Sequence, residues 1–129
     1  MNLLIIGSNF GLNHCKAAIK SKKFKHISIC SPNIYSKKNL KSITKYDNFK
    51  IAIDQNNFDM ISIATTPKVQ NEILNYFFKK KVFPKLLLLE KPLLDDSIKV
   101  IKKFPKNVLF LTNFIFSFEK NWTIYKKKI

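Results

Sequence analysis

The sequence contains no arginine, although its lysines give it 24 basic residues against 8 acidic ones and a formal net charge of +16. Arginine is the side chain that most often reads guanine and clamps phosphate through two hydrogen bonds. Its absence therefore argues against a specific nucleic-acid-binding protein. An AT-rich genome, which favours codons for Lys, Ile, Asn and Phe, is a sufficient cause of the lysine excess. The basic surface would still attract an anionic ligand.

Glycine and cysteine are scarce, with two of each among 129 residues. The spacing of Cys15 and Cys30 fits neither a zinc site nor a C-x-x-C redox motif, so we expect two buried, reduced thiols and no metal site. No apolar run is long enough to cross a bilayer, and the N-terminus reaches Gly7 too soon for a signal peptide. These absences predict a cytoplasmic protein that has no membrane partner.

Short apolar runs alternate with amphipathic stretches along the chain. Strands are predicted at residues 3–6, 27–30, 60–64, 86–89 and 108–116. A helix is predicted to follow the first strand, with Phe10, His14, Ala17 and Ala18 on its inner face. A longer one begins at Pro67 and places Phe77 and Phe78 in the core, and weaker helical signals lie at 37–40 and 49–53. This alternation predicts a single α/β domain with a Rossmann-like, doubly wound, mostly parallel sheet.

The first turn, Gly7-Ser8-Asn9-Phe10-Gly11, joins a buried strand to a helix. Glycines there permit a tight turn and close approach of a pyrophosphate, and the helix N-terminus offers free N–H groups and a positive dipole. The usual spacing is G-x-G-x-x-G, whereas here Asn9 replaces the middle glycine and Gly11 comes one residue early. Taken alone, the motif fits a dinucleotide site and a ligand-free turn about equally well.

The end of the second predicted strand bears on the choice of cofactor. A carboxylate about 20 residues after the glycines would bind the 2′-hydroxyl of the NAD ribose, whereas a small residue near cations admits the 2′-phosphate of NADP. Ser31 stands at this position, and Lys37 and Lys38 follow it. The local sequence therefore favours NADP slightly over NAD.

Two further segments carry a resemblance to a known family. The stretch Asp59–Pro67 resembles the "D-x-V-x-I-A-T-P-P" segment of the glucose–fructose oxidoreductase / inositol dehydrogenase (Gfo/Idh/MocA) family, and Glu90-Lys91-Pro92 resembles its "E-K-P" signature. The first turn, read as Gly7-x-x-Phe10-Gly11-x-x-His14, is similar to the glycine loop of that family. Asn113 and the segment 116–122 are similar to the part that leads out of its nucleotide domain.

The resemblance implies an NAD(P)-dependent oxidoreductase that transfers hydride to or from a sugar, cyclitol or related hydroxy compound. It implies that residues 1–113 form the dinucleotide-binding domain and that 114–129 begin the connection to a C-terminal substrate domain. Lys91 would be catalytic, orienting the substrate oxygen and assisting proton transfer. The implied cofactor-binding residues are Gly7, Asn9, Phe10, Gly11, Ser31, Ala64, Thr65, Thr66, Pro67, Glu90, Lys91 and Asn113.

Departures from the family pattern keep other hypotheses open. Asn9 replaces a glycine, Thr66 a proline and Gln70 a frequent histidine, and the Asp and His that act with the lysine would lie in the second domain. The chain would then need a separate C-terminal half, or would be a noncatalytic dinucleotide-binding module or a truncated remnant. Lys91 could be an ordinary surface lysine. His14 is expected to make a packing or polar contact. The aromatic C-terminal segment is a candidate for contact with a protein partner or a second copy.

Overall fold

The first strand, β1 (Asn2–Ile6), lies at the centre of the fold and is buried on both faces. In a computed structural model, which describes residues 1–37 and 40–113, its side chains alternate between two hydrophobic clusters. Leu4 and Ile6 belong to one cluster, and Leu3 and Ile5 belong to the other. A strand enclosed on both faces reads as a continuous apolar run, which explains the clear signal in the sequence.

Within the part of the chain that the structure describes, six parallel strands form one sheet in the order β3-β2-β1-β4-β5-β6. The other strands are β2 (His26–Cys30), β3 (Thr44–Tyr46), β4 (Met60–Ile63), β5 (Leu86–Glu90) and β6 (Leu109–Asn113). The predicted α/β fold with a Rossmann-like parallel sheet is confirmed. The strand order changes direction beside β1, so the turns after β1 and β4 border a crevice of the kind that binds ligands in such sheets.

Four helices of residues 1–37 and 40–113 cover the sheet: α1 (Phe10–Ser21), α2 (Phe49–Gln55), α3 (Pro67–Lys80) and α4 (Asp95–Ile101). The first packs into the cluster that contains Leu3 and Ile5, whereas α2 and α3 pack into the cluster that contains Leu4 and Ile6. Pro67 occupies the first turn of α3, where the missing N–H costs nothing. None of the helices in the described ranges is long and apolar enough to cross a membrane.

Two elements that follow the second strand were not predicted. Strand β3 was not predicted, and a 3-10 turn at Ile34–Ser36 precedes the predicted helix at 37–40, of which residues 38 and 39 lie outside the described part. The last strand spans Leu109–Asn113, and its predicted extension to 116 is likewise outside the described residues. The same holds for the predicted connection at 114–129 and its aromatic contact surface.

Helix α1 faces the sheet with a different set of residues from the one its apolar pattern indicated. Its buried residues are Gly11, Cys15 and Ala18. The predicted face was Phe10, His14, Ala17 and Ala18. Phe10 is 69% exposed, because the close approach of the helix to β1 places Gly11, which has no side chain, against the sheet. Cys15 and Cys30 are both buried and free, as predicted.

The consecutive residues Phe77 and Phe78 differ sharply in burial. The Phe77 ring is fully buried in the larger cluster, whereas Phe78 is 39% exposed and stacks against Phe104 with the ring centroids 6.4 Å apart. Both rings were predicted to lie in the core, and only Phe77 does. Their positions in α3 make them a matched pair for measuring how much the core stabilises the fold.

We predict that Phe77→Ala lowers the free energy of unfolding by about 3–5 kcal/mol, because it removes a buried ring and leaves a cavity. The adjacent Phe78→Ala should cost about 1 kcal/mol or less, since that ring keeps much of its contact with water. Urea unfolding followed by circular dichroism measures both values. Equal losses for the two variants would show that the core is not packed as described.

Candidate functional site

The turns after β1, β2, β4 and β5 meet at the C-terminal edge of the sheet and enclose a cleft of about 500 Å³. We call it the central cleft. Its lining residues are Gly7, Asn9, Phe10, Ser31, Pro32, Ala64, Thr65, Thr66, Pro67, Val69, Glu90 and Lys91. The structure therefore brings together ten of the residues proposed from the sequence, while Pro32 and Val69 are additions. Gly11 lies behind the cleft, and Asn113 pairs with Glu90 at the end of β6.

Gly7 lies where the backbone of the first turn crosses the end of β4. Its φ angle is +120°, and a Cβ atom there would lie 2.1 Å from the carbonyl oxygen of Ala64. The Gly7 amide donates to the Cys30 oxygen at 2.8 Å, and the Ala64 amide donates to the Ile6 oxygen at 2.7 Å. Only glycine has both the conformation and the size that this crossing requires.

Two helices begin at the central cleft. Asn9 caps α1 without a side-chain hydrogen bond, and no acidic residue occupies the first turn of that helix. Thr66 caps α3, and its side chain accepts a hydrogen bond from the Val69 amide. Because helix N-termini carry partial positive charge and unpaired N–H groups, the cleft suits an anionic group such as a pyrophosphate.

Glu90 is held through its backbone by a side chain from α3. The Gln70 amide nitrogen donates to the Glu90 carbonyl at 3.0 Å, and its amide oxygen accepts from the Glu90 N–H at 3.0 Å. Gln70 is 1% exposed, so this pair of bonds lies in the interior, where an unpaired polar group is costly. The clamp fixes the point at which β5 ends and Lys91, an exposed residue on the cleft wall, begins the next turn.

The Glu90 side chain is held from the opposite side by His14 of α1. The His14 Nε2 atom lies 3.1 Å from Glu90 Oε1, and Nδ1 lies 2.6 Å from the Ser62 hydroxyl of β4. An ionised carboxylate can only accept, so with a neutral ring Nε2 carries the hydrogen and Nδ1 accepts from Ser62. A hydrolase triad has the serine at Nε2 and the carboxylate at Nδ1, whereas here the two are exchanged, and Ser62 is 2% exposed and cannot meet a substrate. The expectation of a polar contact for His14 is confirmed.

A second cleft, of about 770 Å³, extends from the central cleft between α2 and α3. We call it the outer cleft. The two share Ser31, Pro32, Thr65 and Val69, so they adjoin one another. The charged residues that line the outer cleft are Asp47, Lys50, Glu72 and Lys79. Within the described part of the chain, no group of three His, Cys, Asp or Glu side chains could hold a metal ion.

The sequence analysis identified most of the residues that line the central cleft, but it did not identify Gln70 and Ser62 as side chains that support it. Gln70 stands three and four residues before the buried Ile73 and Leu74, so helical spacing alone places it on the inner face of α3. Ser62 is likewise a polar residue inside an apolar strand. A buried polar side chain needs a hydrogen-bond partner, and this requirement was the available signal in both cases.

We predict that Gln70→Leu lowers the free energy of unfolding by about 2–4 kcal/mol, because it leaves both backbone groups of Glu90 without their partner. The matched control is Asn75→Leu on the same helix. The Asn75 side chain is exposed and donates to the Asn71 carbonyl one turn earlier, so the control should change stability by about 0.5 kcal/mol or less. Urea unfolding compares them, and a Gln70 variant as stable as the wild type would contradict the clamp.

The chain matches the Gfo/Idh/MocA family, described as an oxidoreductase family with an NAD-binding Rossmann fold, over residues 1–112. Comparison with curated proteins found no match. Among solved structures, the chain is similar to myo-inositol 2-dehydrogenase from Lactobacillus plantarum, with 26% sequence identity and a TM-score of 0.77. That likeness covers 98% of this chain and 40% of the dehydrogenase.

Two more distant structures show the same fold with ligands bound. The scyllo-inositol dehydrogenase from Lactobacillus casei, solved with NAD(H) and scyllo-inositol, has 18% identity and a TM-score of 0.72 over 98% of this chain and 40% of that one. The WlbA dehydrogenase from Bordetella pertussis, solved with NADH and UDP-GlcNAcA, has 15% identity and a TM-score of 0.75 over 97% and 41%. The chain thus spans about 40% of the length of these structures. The family match over residues 1–112 shows that the chain belongs to the Gfo/Idh/MocA oxidoreductase family and has its NAD-binding Rossmann fold.

Proposed function

We propose that the chain binds NAD or NADP along the two clefts and is the nucleotide-binding part of an oxidoreductase. The main supporting observation is the close crossing of the backbone at Gly7 and Ala64. It brings a backbone without a side chain, together with the N-terminus of α1, to the same cleft as Glu90 and Lys91. In this proposal residues 1–113 are the dinucleotide domain, and the segment from 114 leads toward a substrate domain. The proposal covers both cofactors, because they share the groups that these contacts would bind.

The two adjoining clefts suggest how an elongated dinucleotide would lie. The pyrophosphate would lie over Gly7 and Asn9, where the N-terminus of α1 offers its free N–H groups. The adenosine would extend past Ser31 into the outer cleft, and the nicotinamide would lie toward Glu90 and Lys91. Thr65, Thr66 and Pro67 would form the wall between the two ends.

Lys91 would act on the substrate oxygen. When bound, the nicotinamide cofactor supplies the hydride acceptor or donor. Oxidation of an alcohol also releases the hydroxyl proton, and a positioned amine can orient that oxygen and assist the proton transfer. The Gln70 and His14 contacts to Glu90 would fix the turn from which Lys91 projects. Inositols and sugars are the substrates to test first, since the similar structures include inositol dehydrogenases.

We predict that titration of the chain with NADH changes the nicotinamide fluorescence and that this change saturates. Asn9→Asp should weaken the binding of NADH by about tenfold or more. Aspartate is a favourable helix cap, so the substitution should preserve the fold while placing a negative charge against the pyrophosphate. Asn57→Asp makes the same change at the opposite edge of the sheet and should leave the affinity unchanged. No saturable binding by the folded wild-type chain would refute the proposal.

We also predict that saturating NADH slows acetylation of Lys91, because the nicotinamide end would cover this side of the cleft. Peptide mapping by mass spectrometry after brief treatment with acetic anhydride measures the rate. Lys99, which lies on α4 outside the cleft, serves as the control and should react at the same rate with and without NADH. Equal protection of both lysines, or of neither, would mean that Lys91 is not beside the cofactor.

A further inference from the structure

The outer cleft contains a carboxylate that bears on which of the two cofactors is bound. NADP differs from NAD by a phosphate on the 2′-hydroxyl of the adenosine ribose, and the residue at the end of β2 usually discriminates between them. Here that residue is Ser31, which is 5% exposed and carries no charge. On the sequence of β2 alone, NADP would be the preferred cofactor. A preference for either cofactor at this position rests on the proposed function, because it concerns one end of the same dinucleotide.

Strand β3 places Asp47 beside Ser31. Cys30 pairs with Tyr46 in the parallel register of β2 and β3, and the Ser31 amide donates to the Tyr46 carbonyl at 3.0 Å. Asp47 is the next residue after Tyr46, so it emerges from the sheet at the same level as Ser31 and one strand farther out. Both residues line the outer cleft, and the Asp47 side chain is exposed.

The charge of Asp47 also affects the end of β2. Burial raises the pKa of the Cys30 thiol to about 12, and the negative charge of Asp47 contributes to the rise. The Asp47 carboxylate therefore acts on the very end of β2, the position from which the ribose is normally recognised.

The cations of the outer cleft come from other elements. Lys50 belongs to α2 and Lys79 to α3, and the Lys50 ammonium lies over the ring of Tyr76, 5.6 Å from its centroid. Lys37, which supported NADP in the sequence, is not among the residues that line either cleft, and Lys38 lies outside the described residues. A carboxylate is thus the charged group brought next to Ser31 by the pairing of β2 and β3.

We propose that Asp47 is a specificity-determining residue that makes the chain prefer NAD over NADP. Its carboxylate would accept hydrogen bonds from the adenosine ribose hydroxyls, and it would repel a 2′-phosphate. The acid that Rossmann domains commonly carry at the end of β2 is supplied here from the end of β3. This reverses the preference that the sequence of β2 indicates.

The test is a pair of fluorescence titrations, with NADH and with NADPH, on the wild-type chain and on Asp47→Asn and Asp47→Ser. We expect the wild type to bind NADH about tenfold or more tightly than NADPH. The Asp47 variants should lose most of this ratio, with weaker NADH binding and tighter NADPH binding. Thermal unfolding by circular dichroism checks the fold, which the substitution of an exposed side chain should preserve.

The matched control is Glu72→Gln, which removes the same charge from the same cleft but from α3. It should leave the NADH to NADPH ratio within about twofold, since a general charge effect is weak in water. A shift as large as that of the Asp47 variants would assign the preference to the net charge of the cleft and overturn the inference. So would a wild type that prefers NADPH, or a ratio that Asp47→Asn leaves unchanged. Failure of the folded chain to bind either cofactor would instead refute the proposed function, and the inference with it.

Discussion

The close crossing of two backbones, at Gly7 and Ala64, is the contact on which the C-terminal edge of the sheet depends. Because a Cβ at Gly7 would collide with the Ala64 carbonyl oxygen, the turn after β1 can lie flat against the end of β4 only when no side chain intervenes. This brings the start of α1 directly over the point where the strand order changes direction. The same crossing places Asn9 and Thr65 on the walls of one cleft.

The polar supports of the site come from both faces of the sheet. Gln70, from α3, holds the backbone of Glu90, and His14, from α1, holds its side chain while itself bonded to Ser62. An apolar sheet with two helical layers would fix only the position of β5. These hydrogen bonds also fix the orientation of Glu90, the residue that precedes Lys91. A side chain can act on a substrate only when the backbone that carries it is held in a defined position.

The sequence predicted the parts of this site that depend on local chemistry. Gly7, the strand ends and the Glu90-Lys91-Pro92 turn can be read from neighbouring residues, because buried parallel strands and tight turns leave short local patterns. Strand β3 could not be read this way, since Thr44, Lys45 and Tyr46 form a short, half-exposed edge strand without an apolar run. The position of Asp47 depends on the pairing of that strand with β2, so no local pattern reveals it.

The central claim is that the C-terminal edge of the sheet holds a dinucleotide, and amide NMR shifts on addition of NADH test it most directly. The account predicts that the resonances of Gly7, Gly11 and Thr65 shift saturably. Those of Lys25 and Asp59, whose amides donate to the Met1 and Asn2 carbonyls at the opposite edge, should stay in place. Shifts confined to the opposite edge, or scattered over the lysine-rich surface without saturation, would contradict the claim.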